Sequence, residues 1–311
     1  VSVFKLEKFV QAVRIVRGMD DPPLGNAGRL TVYVLKNSDA VSKLAVGKST
    51  TIAGFYVPRA SGSVAFVPDI SGSRARREDA EVTFFHEYAH HLMLQNATVA
   101  YPAWMVEGFA EFFSTADFHK DGSVSVGTPA NHRAYGLFAL GKPRIEDVLS
   151  ASFDAGTAEQ LEVLYGRSWL LTHYLAFNTE RHGQDSASLR AINAGEDPLG
   201  AARAAFGDLD ELDHELDSYL RRNRFRHLTV EGPALKVTGV QIRKMREGEA
   251  RVMPVRIRSA RGVTKDSAAE VAATARATGA AFPNEAAVQT ALAEAEYGDG
   301  NYAAAEAAAE R

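Results

Sequence analysis

Phe84-Phe85-His86-Glu87-Tyr88-Ala89-His90-His91-Leu92 is the stretch from which the rest of the chain can be read. Val82, Phe85, Ala89 and Leu92 recur at helical spacing, and Phe84, Tyr88 and His91 repeat it on a neighbouring stripe. An apolar surface that wide belongs to a buried helix, expected from about Asp79 to Gln95. His86 and His90 are four residues apart, so their imidazoles stand one above the other on one face. Two imidazole nitrogens so placed can share one zinc ion. Glu87 lies beside them, where a carboxylate can take a proton from a water the metal activates. The bland alternative is a surface helix with two solvated histidines. It leaves the apolar neighbours unexplained, because buried histidines and a buried glutamate are costly without partners.

A catalytic zinc needs a third protein ligand and an open position. The Gly and third His that metzincins carry soon after the motif are absent, since His91-Leu92-Met93-Leu94-Gln95-Asn96 stands there. Further on the chain reads Tyr101-Pro102-Ala103-Trp104-Met105-Val106-Glu107-Gly108-Phe109-Ala110-Glu111-Phe112-Phe113. Pro102 suits the first turn of a helix. Glu107 and Glu111 are four apart and share a face of an otherwise apolar helix, where each needs a role.

These residues resemble the gluzincin zinc metallopeptidases, the clan of thermolysin and the zinc aminopeptidases. There the third ligand is a Glu on the helix after the H-E-x-x-H helix, within a Glu-Gly-Phe-Ala string in the aminopeptidase branch. Glu107-Gly108-Phe109-Ala110 matches that string, with sixteen residues between His90 and Glu107, two fewer than in the branch. The resemblance implies that His86, His90 and Glu107 hold one Zn2+ and that Glu87 is the general base. It implies that Glu111 supports a ligand histidine through its other ring nitrogen. The reverse, Glu111 on the metal and Glu107 in support, stays open at this point. Val163-Leu164-Tyr165-Gly166-Arg167-Ser168-Trp169 resembles the helix start that carries the aminopeptidases' oxyanion-binding tyrosine, which puts Tyr165 in that role. The plain alternative is a Tyr165 that only packs the core. His173, two turns along, is the reserve donor, with a core role the stronger expectation.

The aminopeptidases also carry a Gly-x-Met-Glu-Asn stretch whose Glu anchors the substrate amine. Here the region reads Gly54-Phe55-Tyr56-Val57-Pro58-Arg59, then Ser61 to Asp69, and no Glu lies between Lys8 and Glu78. The expected activity is therefore endopeptidase rather than aminopeptidase, on a peptide or protein substrate gripped by its main chain along an edge strand.

With 311 residues the chain is long enough for a two-lobed domain and an appendage. The implied fold class is α+β: a gluzincin-like peptidase domain over 1–228, with an α/β lobe (1–100) of a small mixed sheet and the zinc helix, then a helical lobe (101–228). Helix is expected over 1–18 and near Asp39 to Val46. Strands are expected at Leu30 to Leu35, Thr51 to Val57 and Ser63 to Val67, with a turn at Ser61-Gly62 and a polar loop from Ser71 to Arg77. Asp121-Gly122, Gly127 to Pro129 and Gly141 to Pro143 interrupt the helices of the second lobe. Residues 229–247 read as a β-like linker. Over 248–311 alanine becomes dense. Pro283, Leu292, Ala293, Gly300, Tyr302 and Ala305 have spacings that resemble the tetratricopeptide repeat, a helix pair of 34 residues. That pattern breaks off in its second helix, so the natural chain is expected to continue beyond Arg311 and to bind a protein partner through these repeats. An alanine-rich helical hairpin with no such role is the alternative.

Net charge is −4, and the one basic run, Arg221 to Arg226, follows the acidic Asp208 to Asp213. Acids opening and bases closing a helix offset its dipole, and nucleic acid is not an expected partner. No run of eighteen apolar residues spans a membrane. The absence of cysteine fits either compartment. The chain begins at Val1 without Met, and the expectation is of an exported, periplasmic protein rather than a cytoplasmic one. The functional alternative is a catalytically inactive peptidase-like scaffold that binds a partner through its helical repeats. A zinc hydrolase acting on esters is a third reading of the same chemistry.

Overall fold

The computed structural model describes residues 3–20, 29–45, 54–59, 62–69, 74–95, 97–153, 156–222, 224–237 and 239–311, with backbone alone for 74–78. It forms two compact units, Val1–Ser42 with Lys48–Thr238, and Lys43–Gly47 with Gly239–Arg311. The described chain runs α1 (Val3–Arg17), β1 (Leu30–Leu35), α2 (Ser38–Leu44), β2 (Phe55–Val57), β3 (Ser63–Pro68), α3 (Arg74–Gln95) and α4 (Ala103–Ser114). It continues through β4 (Asp117–Phe118), β5 (Val124–Val126), α5 (Ala134–Phe138), α6 (Ile145–Leu149), α7 (Ala158–Phe177), α8 (Gln184–Asn193), α9 (Pro198–Phe206), α10 (Leu209–Leu220) and β6 (Leu228–Val230). The second unit holds α11 (Glu247–Arg261), α12 (Lys265–Ala281), α13 (Ala286–Gly298) and α14 (Tyr302–Ala309). The architecture is a mostly helical α+β fold with small sheets.

The first sheet has the order β1-β3-β2. β3 pairs parallel with β1 from Leu30↔Ser63 to Leu35↔Pro68, and antiparallel with β2 from Phe55↔Phe66 to Val57↔Val64. Every residue of β3 is buried, as a central strand with covered faces requires. α3 lies against β2 and β3. Its Phe84, Phe85, Ala89 and Leu92 join Phe9 and Val13 of α1 and Phe109, Phe112 and Phe113 of α4 in one core. A second core gathers Trp104 of α4, Trp169 to Leu171 of α7 and Leu212 and Leu216 of α10. α4 therefore packs on α3 with one side and on α7 with the other.

The close seat of α4 on α7 depends on Gly108. A Cβ there would stand 2.1 Å from Thr172 Oγ1 and 2.6 Å from Ser168 O. Gly127 is required for a second reason. It has φ +72° beneath the Phe112 ring, and its N–H donates to Phe112 O at 3.2 Å. Arg167, buried on α7, ties that helix to α10 through Asp213 and, at 3.1 Å, Asp217.

Several sequence expectations need correction. α3 begins at Arg74, not at the expected Asp79, because Arg74-Ala75-Arg76-Arg77-Glu78 are all good helix formers and no breaker intervenes. The remaining start of that polar loop, the residues before Gly54 and the Ala60-Ser61 part of the turn lie outside the described residues. Of the described part of 229–247, expected to be β-like, strand is confined to Thr229 and Val230, the end of β6 (Leu228–Val230), which pairs with β5. Gly232-Pro233 then forms a short 3-10 turn, since proline cannot donate to a ladder. In the lobe read as helical, β4, β5 and β6 make a small antiparallel sheet. In the second unit, Val252, Val255, Val271, Ala275, Val288 and Leu292 form the core of two successive helix pairs.

Candidate metal centre

α3 and α4 bring three ligand atoms into one triangle. His86 Nε2 and His90 Nε2 are 3.0 Å apart. Glu107 Oε2 lies 3.3 Å from the first and 3.4 Å from the second. Two donors with bonds of about 2.0–2.1 Å to a tetrahedral zinc stand roughly 3.3 Å from each other. The triangle has that size. Glu107 Oε2 is buried and has no hydrogen-bond partner among the described residues, although two imidazole nitrogens face it. A lone pair so placed is satisfied by a cation at the centre of the triangle. His86, His90 and Glu107 are the group of described residues that could hold a metal ion, and they fit one.

Glu111 occupies the other side of His86. Its Oε1 lies 3.2 Å from His86 Nδ1, and the carboxylate is fully buried. A proton on Nδ1 directed at Glu111 leaves the Nε2 lone pair for a metal. His90 Nδ1 has no such partner among the described residues. Glu111 is held in turn by Arg133, whose Nε and Nη2 reach Oε1 at 3.1 Å and 2.6 Å, and by His132 Nε2 at 2.9 Å from Oε2. Burial works against its charge, but Arg133, His132 and His86 hold its carboxyl well below the usual range. His132 and Arg133 were not singled out from the sequence. The signal was indirect: a buried second carboxylate at Glu111 demands a cation, and His132-Arg133 is the basic pair between the breaks at Gly127 and Gly141.

Burial opposes charge on His86, yet Glu107 and Glu111 prevail and raise its pKa to about 10. Burial likewise opposes charge on Glu107, and the two histidines prevail and lower it to about 2. The carboxylates thus favour positive charge at this point, on a proton or on a bound cation. Glu87 is buried beside the triangle. Burial raises its pKa, Glu107 and Glu111 add to the rise, and the histidines oppose it. A carboxylate whose proton affinity is raised is suited to proton transfer near neutral pH.

Tyr165 stands at the same place. Its ring packs edge-on to His86, with centroids 6.0 Å apart, under the Arg133 guanidinium at 4.6 Å. Burial and Glu107 push its hydroxyl above the usual tyrosine range, against Arg133. His173 is elsewhere, in the core. Its Nε2 faces Gly127 O at 2.9 Å and Arg226 O at 3.0 Å, and its Nδ1 faces Tyr219 Oη at 2.8 Å. All its polar atoms are engaged, which rules it out as a reserve donor. The sequence-expected residues His86, Glu87, His90, Glu107, Glu111 and Tyr165 therefore converge, and His173 does not.

Comparison with protein-family models, curated proteins and solved structures gave no match for this chain. No described helix is long and apolar enough to cross a membrane.

Proposed function

We propose that the chain is a zinc-dependent peptidase that cleaves within peptide chains. The observation that carries the proposal is the triangle of His86 Nε2, His90 Nε2 and Glu107 Oε2 with Glu87 buried alongside. The gluzincin-like strings His86 to His90 and Glu107 to Ala110 support the same reading. Zinc bound by these three side chains would polarise the scissile carbonyl and make water nucleophilic near neutral pH. Glu87 accepts the proton of the attacking water and passes it to the leaving amine. Tyr165 donates a hydrogen bond to the oxyanion, a contribution of roughly 3 kcal/mol to the barrier in comparable sites. Glu111 keeps His86 in one tautomer and one orientation. The lack of any Glu between Lys8 and Glu78 favours an endopeptidase over an aminopeptidase. Residues 248–311, read as tetratricopeptide-like, would serve a protein partner.

Hydrolysis of casein, assayed with and without a chelator, tests the proposal together with Glu87→Gln. The expected result is chelator-sensitive cleavage by the wild type. Glu87→Gln should bind zinc normally and lose at least about 100-fold in kcat. Zinc loss in that variant, or cleavage indifferent to chelator, contradicts the assignment.

A further inference from the structure

We infer that Arg133 is a positioning residue for this centre, setting the ligand His86 through Glu111 and the phenol of Tyr165 through its ring face. The inference rests on the zinc-peptidase reading above. The guanidinium serves three neighbours at once. Nε and Nη2 grip Glu111 Oε1 at 3.1 Å and 2.6 Å, and Nη1 reaches Glu162 Oε2 at 2.5 Å. The central carbon lies 4.6 Å from the centroid of Tyr165. The oxygen that Arg133 grips is the one 3.2 Å from His86 Nδ1. His132 holds the other oxygen at 2.9 Å, so the carboxylate has one orientation. Glu162, on α7 one turn before Tyr165, fixes the plane of the fork from the opposite end.

The backbone is arranged to bring Arg133 there. A Cβ on Gly136 would stand 2.7 Å from Glu162 O, and one on Gly166 would stand 3.0 Å from Leu137 Cγ. Only glycines allow the 133–137 segment so close to α7. Arginine suits the position because a rigid planar fork can meet two carboxylates while its face covers an aromatic ring. A lysine offers charge without that plane. One side chain thus links the orientation of a metal ligand to the placement of the oxyanion donor.

The test compares the wild type with Arg133→Met, Arg133→Lys, Glu111→Gln and the Arg133→Met/Glu111→Gln double variant. Zinc affinity is measured by competition with a chromophoric chelator, and kcat and KM are measured on zinc-saturated protein with casein as substrate. Arg133→Met should weaken zinc binding about 10- to 100-fold. The double variant should bind no worse than its weaker parent, within about 3-fold, because both lesions break one contact chain. At saturating zinc Arg133→Met should lower kcat more than Glu111→Gln does, with KM changed less than about 2-fold. Arg133→Lys, which keeps charge without the fork, should fall between wild type and Arg133→Met in both readouts. Wild-type zinc affinity in Arg133→Met, or losses that multiply in the double variant, would overturn the inference. Should Arg133→Met not fold, an Arg133→Lys protein equal to wild type in affinity and kcat overturns it alone. A wild type that binds no zinc sinks the peptidase reading itself, and this inference with it. A zinc-binding wild type with an unaffected Arg133→Met sinks only the role given to Arg133.

Discussion

Glu87 owes its position to a glycine. A Cβ on Gly54 would lie 2.7 Å from Thr83 Cγ2 and 3.2 Å from Glu87 Cγ, so the chain entering β2 can touch α3 only without a side chain. Gly54→Ala should push Glu87 out of line. The expected outcome is a kcat lowered roughly 10- to 100-fold at unchanged zinc content. Adding Thr83→Ser, which removes the crowding methyl, should recover part of that loss. A wild-type kcat in Gly54→Ala would contradict the positioning argument. Tyr165→Phe acts on the other side of the reaction. It should retain zinc and lose on the order of 10- to 1,000-fold in kcat with little change in KM. Loss of zinc instead would make Tyr165 a packing residue.

The site depends on three helices held close. α4 presents Glu107 and Glu111 toward α3 and packs against α7, which carries Tyr165. Gly108→Ala should destabilise the protein by about 1–3 kcal/mol, because the new methyl meets Ser168 O and Thr172 Oγ1. A thermal melt equal to wild type would show that the helices have room to part. α7 also carries the buried His173, which burial lowers from 6.5 to about 4. The folded protein therefore excludes a proton that the unfolded chain takes up. The stability that the neutral ring contributes is complete above pH 6.5 and is lost as pH falls toward 4. The loss totals roughly 3 kcal/mol, at about 1.4 kcal/mol per unit. Urea melts across that range should show the decline, and His173→Phe should flatten it. An equal slope in both proteins would place the acid sensitivity elsewhere.

These elements also show what was legible in the chain. The helical spacing of Phe85, Ala89 and Leu92 placed the centre of α3, and two glutamates on an apolar stretch marked the buried face of α4. The start of α3 at Arg74 was missed because polar residues with helical propensity carry no periodic signal. β4 and β5, of two and three residues, are shorter than any alternation that could reveal them. Arg133 has no spacing relation to the motif, and only the folded chain sets it 2.6 Å from Glu111.

The candidate metal centre lies within the unit made of Val1–Ser42 and Lys48–Thr238. Metal held only by the folded form adds its binding free energy to the stability of that unit. Zinc at about 100 times its Kd should stabilise it by about 2.7 kcal/mol. Calorimetry should show an upward shift that His90→Ala abolishes, and a shift persisting in that variant would locate the metal elsewhere.

The most direct measurement is anomalous diffraction at the zinc edge from crystals grown with the metal. One strong peak is expected about 2.0–2.2 Å from His86 Nε2, His90 Nε2 and a Glu107 oxygen, with Glu111 on His86 Nδ1. Density without a peak there, or a peak at other side chains while those three point apart, would contradict it.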